Sequence, residues 1–337
     1  MHFRNILLTG VILMFIISCN SDPHRVDVSE IQVDAKIQRF EHDLFKSFKS
    51  GTKDEYINLK NEYNEFFDVF VHQILNIPQG PDSIVKSQLE MFVHDAEVND
   101  IYRLTDSAYQ DINDLESGME SFLKHLHYYF PAKPVPQVLT YISAFNYAVI
   151  TTDSTIGIGL DMFLGQNTVY YPRLGIPRYM FNRFQRDYII PSAIKAWFQS
   201  EYDVSLVKNE FMSQMIYQGK LLHFSKAMGP AMNDTLLTGY TASQLDWCKK
   251  NEAEIWSFFI ENKLLFNTDP SLYAKFINEG PSTSGFPQEA PGKLGAWIGW
   301  QIVEAYMTKN NDVTLPQLMM ENDAQKILEV SGYKPQK

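Results

Sequence analysis

Residues 291–303 read P-G-K-L-G-A-W-I-G-W-Q-I-V, and their spacing predicts a helix that packs very close to a second backbone. Gly295 and Gly299 are four residues apart, so on a helix they lie on the same face. Because neither residue has a side chain, that face is flat and another backbone can approach it. Trp297 and Trp300 fill the neighbouring volume. The stretch therefore predicts tight helix packing inside a helical domain.

The segment before this helix predicts an irregular loop. Its conformation is restricted by Gly280, Pro281, Gly285, Pro287 and Pro291. Loops held in this way often present binding residues on a rigid scaffold. Phe286 and Glu289 are the candidate residues of a partner-contact loop.

The C-terminal half predicts helices almost throughout. The predicted helices are 178–187, 191–202, 205–227, 241–263, 270–278, 291–309 and 314–330. Thr241 and Thr314 are each followed three residues later by glutamine, which is the pattern of a capping box at a helix start. Pro270 and Pro291 stand where proline begins a helix.

Strand signals are fewer and lie upstream of these helices. Apolar residues alternate within 31–40, which is the period of a half-buried strand. Two β-rich runs, 138–150 and 155–163, are joined by a plausible hairpin turn at 151–154. The predicted fold class is α+β, predominantly helical with a small central sheet, and residues 30–337 are expected to form a single soluble domain of the periplasmic type.

The N-terminus predicts a lipoprotein signal over residues 1–18. The apolar run from Ile6 to Ile17 would cover about 18 Å as a helix, well short of a bilayer core of roughly 30 Å. Ile16-Ile17-Ser18-Cys19 resembles a relaxed bacterial lipobox. Cys19 is then the lipidation site, carrying diacylglycerol and an acyl chain such as palmitate, and residues 19–29 form a tether. The alternative is an incidental cysteine in a discarded leader.

Composition limits the partners that the protein can have. The chain has 337 residues, of which 45% are hydrophobic, and its formal net charge is −11. That charge argues against binding to nucleic acid or to an anionic membrane surface, because both require a basic patch. The membrane is instead reached through the lipid anchor. If Cys19 carries lipid, Cys248 remains alone and no intramolecular disulfide can form.

Motifs for catalysis are missing from the sequence. There is no H-E-x-x-H, no G-x-S-x-G and no phosphate-binding G-x-x-x-x-G-K-[ST]. His125 and His127 are two apart on a predicted helix and point in different directions. Asp153 and Asp161 flank a G-x-G and are either an acid pair or, as we favour, a turn residue and a strand-end residue. We expect no metal, no cofactor beyond the lipid, no small-molecule substrate and no enzymatic activity.

One order of elements resembles the zinc peptidases of the gluzincin type. Those enzymes use an edge strand, a helix with H-E-x-x-H, and a later helix with E-G-x-A-x-x-F. Here the strand 156–163 is followed by a helix that offers Lys195 to Gln199, and then by Gln218-Gly219 in place of Glu-Gly. Neither an ammonium group nor a neutral amide suits Zn²⁺. The alternatives are a degenerate, zincin-like scaffold without metal, or ordinary helices in this order.

The chain also resembles the gliding-motility lipoprotein GldB family of the Bacteroidetes. The resemblance rests on Cys19, Gln214–Lys220, Gly239–Cys248, Asn251–Trp256, Gly280-Pro281 and Pro291–Val303. It implies a cell-envelope lipoprotein required for gliding and linked to the type IX secretion and motility machinery, whose proteins would be its partners. It implies no catalytic residues.

Three functions follow as hypotheses. The first is a non-enzymatic interaction or assembly component, anchored by lipid with its domain in the periplasm. The second is a membrane-anchored hydrolase, either a divergent zincin or an aspartate-dependent enzyme. The third is a module that binds peptidoglycan or a secreted chain. Asn20-Ser21-Asp22 leaves open whether the inner or the outer membrane holds the anchor.

Overall fold

A computed structural model describes residues 26–50 and 53–335 of the chain. The signal segment 1–18, Cys19 and most of the tether lie outside these residues. The strands are β1 (Ile37–Arg39), β2 (Gln137–Tyr141), β3 (Val149–Thr151) and β4 (Thr155–Gly159).

The helices surround this sheet in chain order. They are α1 (Phe40–Ser50), α2 (Lys53–Val69), α3 (Asp82–His94), α4 (Ala96–Ala108), α5 (Asn113–Tyr129), α6 (Tyr170–Arg173), α7 (Ile189–Glu201), α8 (Phe211–Met228), α9 (Asp234–Thr238), α10 (Ala242–Lys250), α11 (Glu252–Glu261), α12 (Pro270–Ile277), α13 (Leu294–Lys309), α14 (Leu315–Met320) and α15 (Ala324–Ser331). A π-helical turn (Phe70–Ile74) follows α2, and 3₁₀ turns lie at Leu160–Phe163, Arg178–Arg183, Arg186–Tyr188 and Val204–Leu206.

The four strands form one mixed sheet in the order β1-β2-β4-β3. β1, β2 and β4 are parallel neighbours, and β3 is the antiparallel edge strand. The turn between β3 and β4 falls at residues 152–154, which confirms the predicted hairpin. The predominantly helical α+β fold with a small sheet is also confirmed.

Each face of the sheet is covered by its own hydrophobic cluster. Ile37, Val138 and Ile156 share a register and point toward the larger cluster, which includes α5, α7, α8 and α13. Leu139 and Tyr141 point the other way, into a smaller aromatic cluster with α1, α2 and α3. This alternation follows from the two-residue period of a strand. The sheet is therefore buried on both faces.

The G-x-G of β4 makes room for a neighbouring aromatic ring. A Cβ atom built on Gly157 would lie 3.2 Å from the ring of Tyr141, and one on Gly159 would lie 2.2 Å from the carbonyl oxygen of Tyr147. No α-helix begins there, because β4 runs into a 3₁₀ turn. These glycines therefore serve close packing of the sheet.

The glycine pattern in α13 performs the packing that its spacing predicts. A Cβ on Gly299 would lie 1.9 Å from the carbonyl oxygen of Met215 in α8, and one on Gly219 would lie 2.2 Å from the carbonyl oxygen of Gly299. A Cβ on Gly295 would likewise lie too close to the carbonyl oxygen of Phe276 in α12. The backbones of α8 and α13 therefore touch, and this contact organises the helical half of the core.

Several predicted boundaries were wrong. The predicted strand over 31–40 is reduced to β1, because α1 begins at Phe40. The run 138–150 is interrupted between β2 and β3, where Ala144 and Phe145 adopt positive φ.

The long predicted helices are also divided. Residues 178–187 form 3₁₀ turns, 205–227 becomes helical only from Phe211, and 241–263 and 314–330 each split in two. Pro291 precedes α13 without starting it, because Lys293 adopts left-handed φ just before the first helical residue. The capping boxes at Thr241 and Thr314 and the proline start at Pro270 are all present.

Candidate functional site

A cationic cavity of about 340 Å³ lies between α7, α8, the start of α13 and the loop after α12. Its polar lining includes Lys195 and Gln199 of α7, Gln218 of α8, and Arg183, Glu279 and Lys293 from the connecting segments. Most of the remaining lining is apolar. This volume is at the lower end of the range for small-ligand sites.

Helix geometry explains how α7 and α8 present their polar residues to the cavity. Lys195 and Gln199 are four residues apart, so they lie on one face of α7. The opposite face of α7 buries Ile194, Trp197 and Phe198 in the core. Gln218 immediately precedes Gly219, the residue that brings α8 against α13. The close helix contact therefore fixes the position of Gln218 relative to the start of α13.

A half-buried ion-pair cluster forms one wall of the cavity. Arg183 Nη1 and Lys293 Nζ each lie 2.8 Å from the same carboxylate oxygen of Glu279. Both cations also donate hydrogen bonds to the carbonyl oxygen of Thr238, at 3.4 Å and 3.2 Å. The cluster ties three segments that are distant in sequence.

Two left-handed residues hold this cluster in place. Gly239 has φ of +72° at the C-terminus of α9, and a Cβ there would lie 2.4 Å from the guanidinium group of Arg183. Glycine is therefore required both by the backbone and by the close approach of Arg183. Lys293 has φ of +60°, a conformation that a residue with a side chain adopts at a cost. Tyr240 supports it by donating hydrogen bonds from its hydroxyl to the carbonyl oxygens of Gly292 and Lys293.

The cavity carries more positive than negative charge. Arg183, Lys195 and Lys293 face a single carboxylate, that of Glu279. Burial and, to a smaller extent, the charge of Arg183 lower the pKa of Lys293 to about 7, while Glu279 opposes the change. For Glu279, burial acts to raise the pKa, but the charges of Lys293 and Arg183 outweigh it and the pKa is lowered. Burial among the surrounding protein atoms also lowers the pKa of Lys195, although the residue keeps an exposed surface.

A larger cavity, of about 700 Å³, has its carboxylate already engaged in hydrogen bonds. It is lined by Val26, Tyr128, His223, Glu304 and Met307, among others. His223 Nδ1 lies 2.9 Å from Glu304 Oε1, and the indole N–H of Trp300 donates to the same oxygen at 2.6 Å. We regard the smaller cavity as the functional candidate, because its charge is unbalanced.

The two candidate acids, Asp153 and Asp161, lie at opposite ends of β4. A strand of five residues spans roughly 17 Å, so the two carboxylates cannot act on one substrate atom. Asp153 is exposed in the hairpin turn, whereas Asp161 is fully buried. Asp161 Oδ2 accepts hydrogen bonds from the backbone N–H groups of Ser143 and Phe145, while Oδ1 has no hydrogen-bond partner among the described residues. Burial raises the pKa of Asp161 to about 6, which these hydrogen bonds oppose.

The predicted partner-contact residues lie on one loop but in different environments. The Phe286 ring is half-buried and packs 4.6 Å from the ring of Phe258, measured between centroids. Glu289 is exposed. A role of this loop in partner contact stays a prediction. Cys19, the predicted lipidation site, lies outside the described residues.

The structure shows where the positions compared with zinc peptidases lie. The positions that would carry metal ligands, Lys195, Gln199 and Gln218, line the same cavity. The strand assignment was wrong, because β4 lies inside the sheet and the edge strand is β3, against which α7 packs. Across residues 26–50 and 53–335, no group of three or more His, Cys, Asp or Glu side chains is placed to hold a metal ion. The zincin-like interpretation stays a prediction.

Sequence reasoning did not identify Arg183, Glu279 and Lys293 as site residues. They come from three separate connections, and no local spacing joins them. The one available signal was Gly239-Tyr240, whose left-handed glycine and buried tyrosine hold the cluster.

The architecture and the cavity define a helical α+β domain with a ligand-sized cationic site. Comparison with family models identifies it further: residues 21–335 match the model described as gliding motility protein GldB, and the chain belongs to that family of gliding-motility lipoproteins. No curated protein and no solved structure matches the chain. Over the part of the chain that the structure describes, no helix is long and apolar enough to cross a membrane.

Proposed function

We propose that this protein is a lipid-anchored, non-enzymatic component of the gliding apparatus that binds other proteins of the type IX secretion and motility machinery. Its family supplies the link to gliding. The observation that carries the binding role is the chemistry of the cavity. Lys195, Gln199 and Gln218 offer hydrogen-bond donors and positive charge, and none of them is a group that Zn²⁺ prefers.

The anchor is tested by changing the predicted lipidation site. Cys19→Ser should abolish incorporation of labelled fatty acid and leave the precursor uncleaved, because the lipid-modified cysteine is the residue at the processing site. Efficient cleavage of the mutant at the same position would contradict the lipoprotein assignment.

The role of the cavity is tested in cells that lack the native gene. We expect a strain complemented with Lys195→Glu to lose gliding and partner crosslinking, because reversing this charge changes the cavity without altering the buried face of α7. Lys250→Glu is the matched control, since Lys250 is exposed on α10 and pairs only with Asp246 four residues earlier. Normal gliding of the Lys195→Glu strain, at normal protein level, would contradict a role for the cavity.

The alternative hypothesis, a hydrolase, is tested by metal analysis of the purified protein. Stoichiometric zinc that is lost when His223 or Asp161 is replaced would favour a divergent metalloenzyme. We do not favour it, because the potential ligands lie apart: His223 contacts Glu304 at the larger cavity, while Asp161 is enclosed beside β4.

A further inference from the structure

Three side chains with unused hydrogen-bonding capacity converge on the cationic cavity. Among the described residues, Lys195 has no ion-pair partner, and the side-chain amides of Gln199 and Gln218 form no hydrogen bond with the protein. Each side chain is at least partly accessible to water. They therefore differ from Arg183 and Lys293, whose pairing with Glu279 and Thr238 gives them a structural role as well.

The charge of this cavity is opposite to that of the whole chain. Three cations and one carboxylate leave a local excess of positive charge, whereas the chain as a whole has a formal net charge of −11. Enclosed walls of low polarity strengthen the field of such a group of charges. A negatively charged ligand would balance this excess of positive charge.

The rest of the lining limits the kind of anion that fits. The apolar wall of the cavity includes Phe163, Met180, Phe184, Leu221, Leu237 and Ile277. A bare phosphate could accept hydrogen bonds from the two amides, but it would leave the apolar wall without a partner. A carboxylate that is attached to an amide and to an apolar side chain would use all three kinds of surface, and this is the chemistry of a peptide C-terminus.

We propose that the cavity binds the C-terminal carboxylate of a peptide that ends in an apolar residue. Lys195 and Lys293 contact the carboxylate, Gln199 and Gln218 pair with the last peptide groups, and the apolar wall receives the terminal side chain. A cavity of about 340 Å³ admits only the end of a chain. Two sources share this chemistry: the C-terminus of a protein, made of L-residues, and a cell-wall peptide, which ends in a D-residue.

This inference rests on the binding role proposed above and names the chemical class of its ligand. Its test is a binding measurement on the purified full-length protein in detergent. The probe is a fluorescein-labelled tetrapeptide ending in L-leucine, compared with the same peptide carrying a C-terminal amide and with one ending in D-leucine. We expect the free acid to bind at least about tenfold more tightly than the amide, since a charge-assisted hydrogen bond is worth about 1.5–3 kcal/mol.

Variants assign the effect to the cavity. Lys195→Gln should reduce binding of the free acid by about tenfold while leaving the amide and the melting temperature unchanged, and Lys250→Gln should change none of these. Equal affinity for acid and amide, or an unchanged affinity in Lys195→Gln, would overturn the proposal. So would binding of inorganic phosphate with no binding of either peptide. The L- and D-peptides separate the two sources.

The in vitro result is independent of the gliding phenotype. If the peptide acid binds as expected but Lys195→Glu cells glide normally, the ligand assignment holds and the proposed role in gliding fails. If the cells stop gliding but no peptide binds, the cavity matters for gliding and the ligand class is wrong.

Discussion

Replacing Gly299 with alanine should separate the two helices that form the centre of the protein. The new Cβ would lie 1.9 Å from the carbonyl oxygen of Met215, whereas real Cβ atoms essentially never approach within 3.0 Å. Because the clash is with a backbone atom, no change of side-chain rotamer can relieve it. Helices α8 and α13 must therefore move apart by at least about 1 Å. A gap of that size forfeits a quarter to a half of the dispersion energy of the atoms involved.

The expected loss of stability follows from two opposing effects. Alanine is favoured over glycine inside a helix by about 1 kcal/mol, which works against the disruption. Overpacking typically costs 1–3 kcal/mol and occasionally more, and here it affects helices of 18 and 16 residues. We expect the free energy of unfolding to fall by about 2 kcal/mol, with a decrease in melting temperature of roughly 3 °C for a domain of about 300 residues.

Urea titration followed by tryptophan fluorescence measures this change directly. Gly80→Ala is the matched control, since a Cβ at Gly80 has nothing within 4 Å and its φ is not in the left-handed region. That variant should stay within about 0.5 kcal/mol of the wild type. If Gly299→Ala is as stable as Gly80→Ala, the reasoning from backbone contact is refuted.

Three further predictions concern buried titratable groups. The pKa of Asp161 is raised to about 6, so the folded protein is most stable when this carboxyl group is uncharged. The free energy of unfolding should therefore fall as the pH rises from about 4 to 6. Urea titrations of Asp161→Asn should not show this dependence. The pKa of Lys293 is lowered to about 7 in its surroundings of Arg183, Lys195 and Glu279. The free energy of unfolding should therefore rise between pH 7 and about 10, and it should rise less in Lys293→Met. Cys248 is fully buried, and burial raises its pKa to about 12. Iodoacetamide should therefore alkylate this thiol only when the protein unfolds. Rapid labelling of the folded protein in buffer would contradict this burial.

The sequence predicted those features that depend on neighbouring residues. Capping boxes at Thr241 and Thr314, the hairpin between β3 and β4, and the flat strip of α13 are each encoded within a few positions. Apolar periodicity also sufficed for the fold class. The breaks within long helical stretches were missed because periodicity continues across them: at Asn251, α10 ends and α11 begins with the same apolar face available to both.

The cavity was predictable only in part, for a physical reason. Lys195, Gln199 and Gln218 were recognised as substitutes for metal ligands because they occupy helical positions with a known spacing. Glu279 and Lys293 depend on how loops meet in three dimensions, and Lys293 adopts a left-handed conformation that its sequence does not announce. A charge cluster of this kind can be recognised only in the three-dimensional structure.

The order of strands in the sheet has a consequence for folding during export. β1 pairs with β2, whose residues lie about one hundred positions later, and β2 then pairs with β4. A chain that crosses a membrane from its N-terminus exposes β1 long before its partner β2 has emerged. Contacts of such high sequence separation form slowly. Helices α1 to α5 therefore have no completed sheet to pack on until residue 159 has left the translocation channel.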